Sequence, residues 1–117
     1  MWVVDAELVA EWIVSLDDDS VAQIYAAISI LQDVGPNLGR PLVDTVEASR
    51  HSNMKELRLG SSGRKELRIL FAFDPLRRGI LLVGGDKSGQ WDKWYKQNIP
   101  HADTIFDDHL LHLENEK

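Results

Sequence analysis

Two arginines stand at matching positions of a repeated tetrapeptide, and arginine is well suited to holding a phosphate. Lys-Glu-Leu-Arg occupies residues 55–58 and again residues 65–68, so the copies end in Arg58 and Arg68. The guanidinium presents a planar fork of donors that matches phosphate geometry. The turn sequence Gly-Ser-Ser-Gly lies between the copies and predicts a β-hairpin. This hairpin is therefore a candidate anion site.

The register of the hairpin decides whether the arginines meet. Alternate side chains of a strand share a face, and five apolar residues have the parity of one face: Leu57, Leu59, Leu67, Ile69 and Phe71. Burying that face places Arg58 and Arg68 together on the reverse face, whereas a slip of one residue would separate them. Adjacent arginines repel unless an anion lies between them. That anion could be a bound phosphate or the carboxylates of Glu56 and Glu66. Arg68 is the sharper phosphate candidate because its neighbours on that face are apolar.

A lysine and a group of aromatic residues follow the last apolar strand. Lys87 comes after two glycines and an aspartate, at a strand end where the backbone can approach a ligand closely. Tyr95 follows shortly, with Trp91, Lys93 and Trp94 between. Aromatic rings among lysines suit the stacking of single-stranded bases. The alternative is that at least one of the two tryptophans caps the core.

Other chemistries find little support. His109 and His112 are three residues apart on a predicted helix, a spacing that can hold a metal, but no third ligand accompanies them and we expect no metal. The sequence has no cysteine, which excludes disulfides, thiolate ligands and a cysteine nucleophile. It contains no nucleophile elbow, P-loop or dinucleotide fingerprint. We expect no cofactor.

The charge is unevenly distributed along the chain. The net charge is −6, but residues 1–39 contain no lysine or arginine, and residues 40–100 hold twelve of the thirteen. A basic centre between acidic ends is expected if a local anion-binding face exists, although scatter over a solvated sheet is the alternative. The N-terminus lacks the basic start of a signal peptide, and no apolar run approaches membrane-spanning length. We expect a cytoplasmic protein with no membrane partner.

The elements that position these residues follow from periodicity. Trp2–Val4 predicts a short strand. Two amphipathic helices follow, with Trp12 on the apolar stripe of the first and Tyr25 on that of the second, and both rings are expected in the core. Residues 37–53 show no sustained period and predict a long connection.

The second half changes to strands. Three are predicted, at residues 54–59, 66–73 and 80–83, and Pro100 is expected to begin a final helix. The order β-α-α-β-β-β-α predicts an α+β fold with an antiparallel sheet, an N-terminal helical hairpin and a C-terminal helix, with the helices covering one face.

The motifs NMKELRLGSSGRKELRILFAFD, LLVGGDK and KWY together resemble the RelE/ParE superfamily of type II toxins, and within it the HigB-like, phage-derived branch. The resemblance covers nearly all of the chain, so residues 1–117 are expected to form one toxin domain with a RelE-like (microbial RNase-like) fold. It implies ribosome-dependent cleavage of mRNA, in which a 2′-hydroxyl attacks the adjacent phosphate. Fixed cations would stabilise the crowded, extra-negative transition state.

The resemblance also assigns roles to residues. Arg68 would clamp the scissile phosphate with support from Arg58, Lys87 would stabilise the phosphate or the leaving oxygen, and Tyr95 would stack on a base or transfer a proton. Further RNA contacts are predicted at Lys55, Arg64, Lys65, Lys93 and Trp94. No general base is evident; His51 lies in the preceding loop.

The implied partners are a HigA-like helix-turn-helix antitoxin, with which the toxin would form a hetero-oligomer, and the ribosome with its mRNA. Two alternatives stay open. One is a ParE-like inhibitor of DNA gyrase that cleaves no RNA; the other is a non-catalytic remnant that keeps only antitoxin binding.

Overall fold

The computed structural model of the protein describes residues 1–59 and 65–116. A mixed five-stranded sheet with helices on both faces forms the architecture. In chain order the elements are β1 (Val3–Asp5), a 3-10 turn (Glu7–Val9), α1 (Ala10–Val14), α2 (Asp18–Val34), a second 3-10 turn (Gly35–Asn37), β2 (Val43–Thr45), β3 (Lys55–Arg58), β4 (Leu67–Phe73), β5 (Arg78–Asp86) and α3 (Asp92–Asn115).

The sheet has the strand order β1-β5-β4-β3-β2. Strands β2 to β5 form the antiparallel part, which confirms the α+β class and, for these four strands, the predicted antiparallel sheet. β1 differs from the expectation because it pairs parallel to β5, with Val3 opposite Arg78. A parallel neighbour requires a long crossover, and the two N-terminal helices lie in that crossover.

The hairpin register agrees with the sequence argument. Leu57 lies opposite Ile69, and Arg58 lies opposite Arg68. Alternation along β3 and β4 therefore separates two environments. Leu57, Ile69 and Phe71 contact the helical hairpin, on what we call the hairpin face.

The opposite face of the sheet, the α3 face, is also covered. Its apolar side chains include Leu70 and Ala72 of β4, which pack with Trp94, Ala102 and Phe106 of α3. The expectation that helices cover one face was therefore wrong. The central strand explains why: β4 is apolar on both sides apart from Arg68, and a strand of that kind needs a layer on each face.

The buried stripe of helix α2 is narrower than the sequence predicted. Asp17 caps the helix by accepting a hydrogen bond from the Ser20 amide. The buried stripe consists of Ile24, Ala27, Ile28 and Leu31. Tyr25 directly follows Ile24 in the sequence, so its side chain points about 100° away from that of Ile24 around the helix axis. The residue is exposed. The prediction that Tyr25 lies in the core was wrong, whereas Trp12 does pack against it.

Two boundaries also differ from the sequence expectations. Helix α3 begins at Asp92, and Pro100 lies inside it rather than opening it. Buried contacts of Trp94 and Ile99 hold the turns before the proline against the sheet, which outweighs the missing amide donor. The connection at residues 37–53 contains β2, a strand too short to show a period. Across residues 1–59 and 65–116, no helix has both the length and the apolar character to cross a membrane.

Candidate active site

Three neighbouring strands bring basic residues to one corner of the α3 face. Arg58 and Arg68 are direct partners on β3 and β4, and Arg68 lies opposite Gly85 of β5 on its other side. Lys87 comes two residues after Gly85, directly after the end of β5. By the alternation of a strand it therefore lies on the same face of the sheet as Gly85. The sheet thus places Arg58, Arg68 and Gly85 in one row across three strands, and Lys87 lies beyond Gly85 along the chain. We call this the cationic corner.

The first turns of α3 cover the cationic corner. The indole of Trp94 rests on Gly85, where an added Cβ would lie 2.5 Å from Trp94 Nε1. Glycine is needed here so that the helix can approach the strand. Trp94 is only 4% exposed and makes an edge-on contact with Tyr95. Trp94 is therefore a packing residue, and its predicted role as an RNA contact is not favoured by its position.

Lys87 lies between two aromatic rings. Its Nζ is 4.9 Å from the ring centre of Trp91 and 5.3 Å from that of Tyr95, distances at which a cation is attracted to the ring face. The residue is 8% exposed. Its amide donates to the Glu66 carbonyl at 3.0 Å, and Asp86 braces the same loop by accepting from the Glu66 and Ser88 amides.

The two arginines differ in their counter-ions. Arg58 Nε is 3.6 Å from Glu56 Oε1, and Glu56 is itself buried. Arg68 is 6% exposed; its Nη1 donates to the Leu67 carbonyl at 2.9 Å, and its Nε has no partner among the described residues. The sequence left open whether glutamates neutralise the two arginines. The structure shows such a counter-ion for Arg58, namely Glu56. Within residues 1–59 and 65–116, no carboxylate lies within salt-bridge distance of Arg68.

Tyr95 joins the cationic corner to Glu56. Burial, followed by the carboxylate of Glu56, raises the pKa of Tyr95 to about 12, while the Arg68 guanidinium acts in the opposite direction. The phenol is therefore protonated at neutral pH. A protonated phenol can donate a proton or a hydrogen bond, and it is a poor proton acceptor. The resemblance implied that Tyr95 stacks on a base or transfers a proton. If it transfers a proton, it therefore acts as the donor.

The raised pKa can be measured directly. In a Tyr25→Phe background, where Tyr95 is the remaining tyrosine, tyrosinate absorbance of the folded protein should develop with a midpoint near pH 12. In denaturant the midpoint should be about 10. Because the folded pKa is the higher one, the stabilising contribution of Tyr95 is complete below about pH 10 and is lost as pH rises through about 12.

The control variant for this titration is Glu56→Gln. Removing the carboxylate should lower the midpoint, since Glu56 is one of the groups that raise it. A folded-state midpoint near 10 in the parent background would contradict the assigned surroundings of Tyr95.

The remaining predicted RNA contacts do not gather at the cationic corner. Lys55 Nζ donates to the Pro36 carbonyl at 2.6 Å, and Lys65 Nζ is 2.5 Å from Asp17 Oδ1. Both lysines share the parity of Leu57 and Leu67, so they lie on the hairpin face. The same alternation of side chains that places the two arginines on one face predicts that these two lysines lie on the other. Lys93 is exposed on α3, and Arg64 lies outside the described residues.

The histidines lie elsewhere. His51 Nε2 is 2.7 Å from Asp107 Oδ1, and the ring meets Phe106 edge-on. His109 Nε2 is 2.8 Å from the buried Asp74, and His112 Nε2 is 3.3 Å from Glu116. His51 is thus engaged with the middle of α3, and these contacts do not direct it to the cationic corner.

Sequence reasoning named two further residues near the site without giving them a role in it. Glu56 was considered only as a counter-ion, yet its parity with Arg58 already placed a carboxylate beside the arginines. Trp91 was grouped with Trp94, and a spacing of three residues on a helix did not separate the buried ring from the exposed one.

Comparisons with known proteins agree with the resemblance seen in the sequence. The model of the family of phage-derived Gp49-like proteins (DUF891) matches residues 11–107. The chain is 51% identical over 116 residues to HigB2 of Mycobacterium tuberculosis (strain ATCC 25618 / H37Rv), a protein named as a toxin; the match covers 99% of this chain and 58% of HigB2. It is 52% identical over 95 residues to HigB3 of the same organism, also named as a toxin, and that match covers 81% of each.

The chain therefore spans little more than half the length of HigB2. No solved structure matches it. The family match extends over most of the chain and includes every residue of the cationic corner. The chain belongs to the Gp49-like family of phage-derived proteins and, as a HigB-like member, to the RelE/ParE superfamily.

Proposed function

We propose that this chain is the toxin of a type II toxin–antitoxin system and that it inhibits translation by cleaving mRNA on the ribosome. The observation that carries the proposal is Arg68, a buried guanidinium with an unpartnered Nε beside Arg58 in the cationic corner. Burying a cation without a counter-ion is unfavourable for folding. A chain keeps such a group where an anionic ligand or transition state uses it.

The reaction that fits this arrangement is attack of a ribose 2′-oxygen on the adjacent phosphorus. The bond to the 5′-oxygen breaks as the new P–O bond forms, and negative charge accumulates on the phosphoryl oxygens. Arg68 and Lys87 would stabilise that charge, with support from Arg58. Their low exposure strengthens the stabilisation, because electrostatic interactions are weakly screened away from water.

Two further groups would handle the protons. Glu56 would accept the proton of the 2′-hydroxyl as it attacks, and the protonated phenol of Tyr95 would supply a proton to the departing 5′-oxygen. At neutral pH the phenol of Tyr95 is protonated, so it holds the proton that the departing oxygen needs, and its place between Glu56 and Arg68 supports this assignment. The products would be a 2′,3′-cyclic phosphate and a 5′-hydroxyl.

The proposed partners follow from the same assignment. A HigA-like helix-turn-helix antitoxin would neutralise the toxin in a hetero-oligomer. The ribosome, in the cytoplasm, would present the mRNA and hold it in the geometry for attack. Positioning of the substrate can supply much of the rate enhancement in such a reaction.

Primer extension on mRNA tests the proposal. Cells would briefly express the wild-type chain, Arg68→Ala or Arg77→Gln. Arg77 lies at the opposite end of β4, over the ring of Trp2, so Arg77→Gln removes one positive charge away from the cationic corner. We expect cuts within translated regions with wild type and Arg77→Gln, and none with Arg68→Ala.

Other outcomes point to the alternatives. Growth arrest with intact mRNA would exclude the nuclease and favour a ParE-like action on gyrase, which a supercoiling assay would then test. Normal growth with soluble wild-type chain would favour a remnant that binds antitoxin without catalysis.

A further inference from the structure

Trp91 is an exposed aromatic ring placed directly over a buried cation. Its side chain is 59% exposed, although Trp94, one helical turn later, is almost fully buried. Lys87 Nζ lies 4.9 Å from the ring centre of the indole, and Trp91 keeps more than half of its surface exposed beside it. Single exposed apolar side chains are common on protein surfaces, and what distinguishes Trp91 is that its exposed ring lies against a buried lysine.

The backbone at Trp91 is also unusual. The residue precedes the first turn of α3 with φ 41° and ψ −116°, and it makes no side-chain cap. Positive φ favours glycine or asparagine, and helix N-caps favour small polar residues. The segment is nonetheless closed, because the amides of Gln90 and Trp91 both donate to the Lys87 carbonyl, at 2.9 and 3.0 Å. Trp91 thus breaks two local preferences while the loop holds it against Lys87.

We propose that Trp91 is a base-stacking residue of this site. The phosphate would bind to Lys87 and Arg68, and the base of a neighbouring nucleotide would lie on the exposed surface of the indole. The inference rests on the proposed function and adds a specific binding role for a residue outside the cationic corner. Local features that oppose folding preferences are commonly retained where a ligand uses them.

The geometry also determines what Trp91 reads. Every base has a π-face, so stacking on an indole tolerates all four bases. The predicted result is a strong preference for a base over no base, with little discrimination among sequences. Any codon preference would then arise elsewhere, for example from how the ribosome presents the mRNA.

Equilibrium binding by the purified 117-residue chain tests the proposal. One probe is a short single-stranded RNA with 2′-O-methyl riboses, which block the attack. The other is a fully abasic sugar–phosphate chain of the same length and charge. Stacking predicts that Trp91→Leu weakens binding of the intact RNA by roughly 5- to 150-fold. Binding of the abasic chain should change little, and Trp91→Phe should retain most of the affinity.

Fluorescence supplies an independent readout. Intact RNA should quench tryptophan emission in the wild type, and Trp91→Phe should abolish that quenching. The control is Trp2→Phe, because Trp2 also lies beneath a cation, with Arg77 Cζ 4.5 Å from its ring centre. Quenching should persist in Trp2→Phe. Equal quenching in wild type and Trp91→Phe would contradict the stacking role.

Two binding results would overturn the proposal. If Trp91→Leu binds intact RNA as tightly as wild type or more tightly, the indole merely covers Lys87. If the wild type binds intact and abasic chains equally, it does not read a base. Cleavage of cellular mRNA by the same wild-type protein would then show that the proposed nuclease function survives without this stacking contact.

Discussion

Replacing Arg68 by methionine is expected to raise the free energy of unfolding by about 1 kcal/mol while lowering mRNA cleavage roughly 10²- to 10³-fold. The substitution removes a buried cation with an unpartnered Nε and relieves its repulsion with the opposing Arg58. Methionine is unbranched and fills a similar space. Replacing buried charge by apolar volume is often neutral or stabilising. A urea titration should show the shift in midpoint, and primer extension should show the loss of cuts.

Arg58→Met provides the matched control, because it removes the same charge from the opposing strand position. In the wild type the Arg58 guanidinium lies beside the buried Glu56. Removing the guanidinium leaves that carboxylate without its ion-pair partner. We expect Arg58→Met to lower the free energy of unfolding by about 1 kcal/mol. The two variants should therefore move stability in opposite directions while both reduce cleavage. If Arg68→Met unfolds at a clearly lower urea concentration than wild type, Arg68 stabilises the fold and the central argument for its function fails.

Gly85→Ala is expected to reduce cleavage severely by displacing α3. The added methyl would lie 2.5 Å from Trp94 Nε1, and the buried indole has little room to yield. Moving Trp94 would shift Tyr95 and Trp91 away from Lys87. Overpacking of this kind costs about 1–3 kcal/mol of stability, and a shift near 1 Å at the reacting groups can cost about 10²-fold in rate.

Gly84→Ala separates the loss of stability from the loss of function. Gly84 is adjacent in β5, but an added Cβ there would strike the ring of Trp12 on the hairpin face. We expect the two variants to lose similar stability in urea titrations. Only Gly85→Ala should lose cleavage beyond what its unfolded fraction explains. Equal activity in both variants would show that the placement of the first turns of α3 does not matter for the reaction.

Alternation explains why the core of the site could be predicted from the sequence. Burying the leucine of each KELR copy fixes the partner of every residue in the hairpin, and a slip would expose the whole apolar set. The pairing of Arg58 with Arg68 follows from that energetic penalty. The same rule assigns Lys55 and Lys65 to the opposite face, a consequence that the family resemblance obscured.

The predictions that were wrong concern segments whose structure depends on contacts with residues distant in the sequence. A proline is a strong local signal for a helix start, yet contacts of Trp94 and Ile99 with the sheet carry α3 through Pro100. β2 is three residues long and depends on its neighbour β3 rather than on its own pattern. Trp94 is buried with its indole close to Gly85, whereas Trp91 precedes the first turn of α3 and its ring is exposed.

The parallel pairing of β1 with β5 has a consequence for synthesis of the chain. Val3 cannot meet Arg78 until most of the polypeptide has been made, and the cationic corner further requires Lys87 and Tyr95 from a still later part of the chain. Contacts between such distant segments form slowly because the loop between them must first be closed. Under the proposed function, a growing chain would therefore lack its complete set of reactive groups until the polypeptide through Tyr95 has been made and β1 has paired with β5.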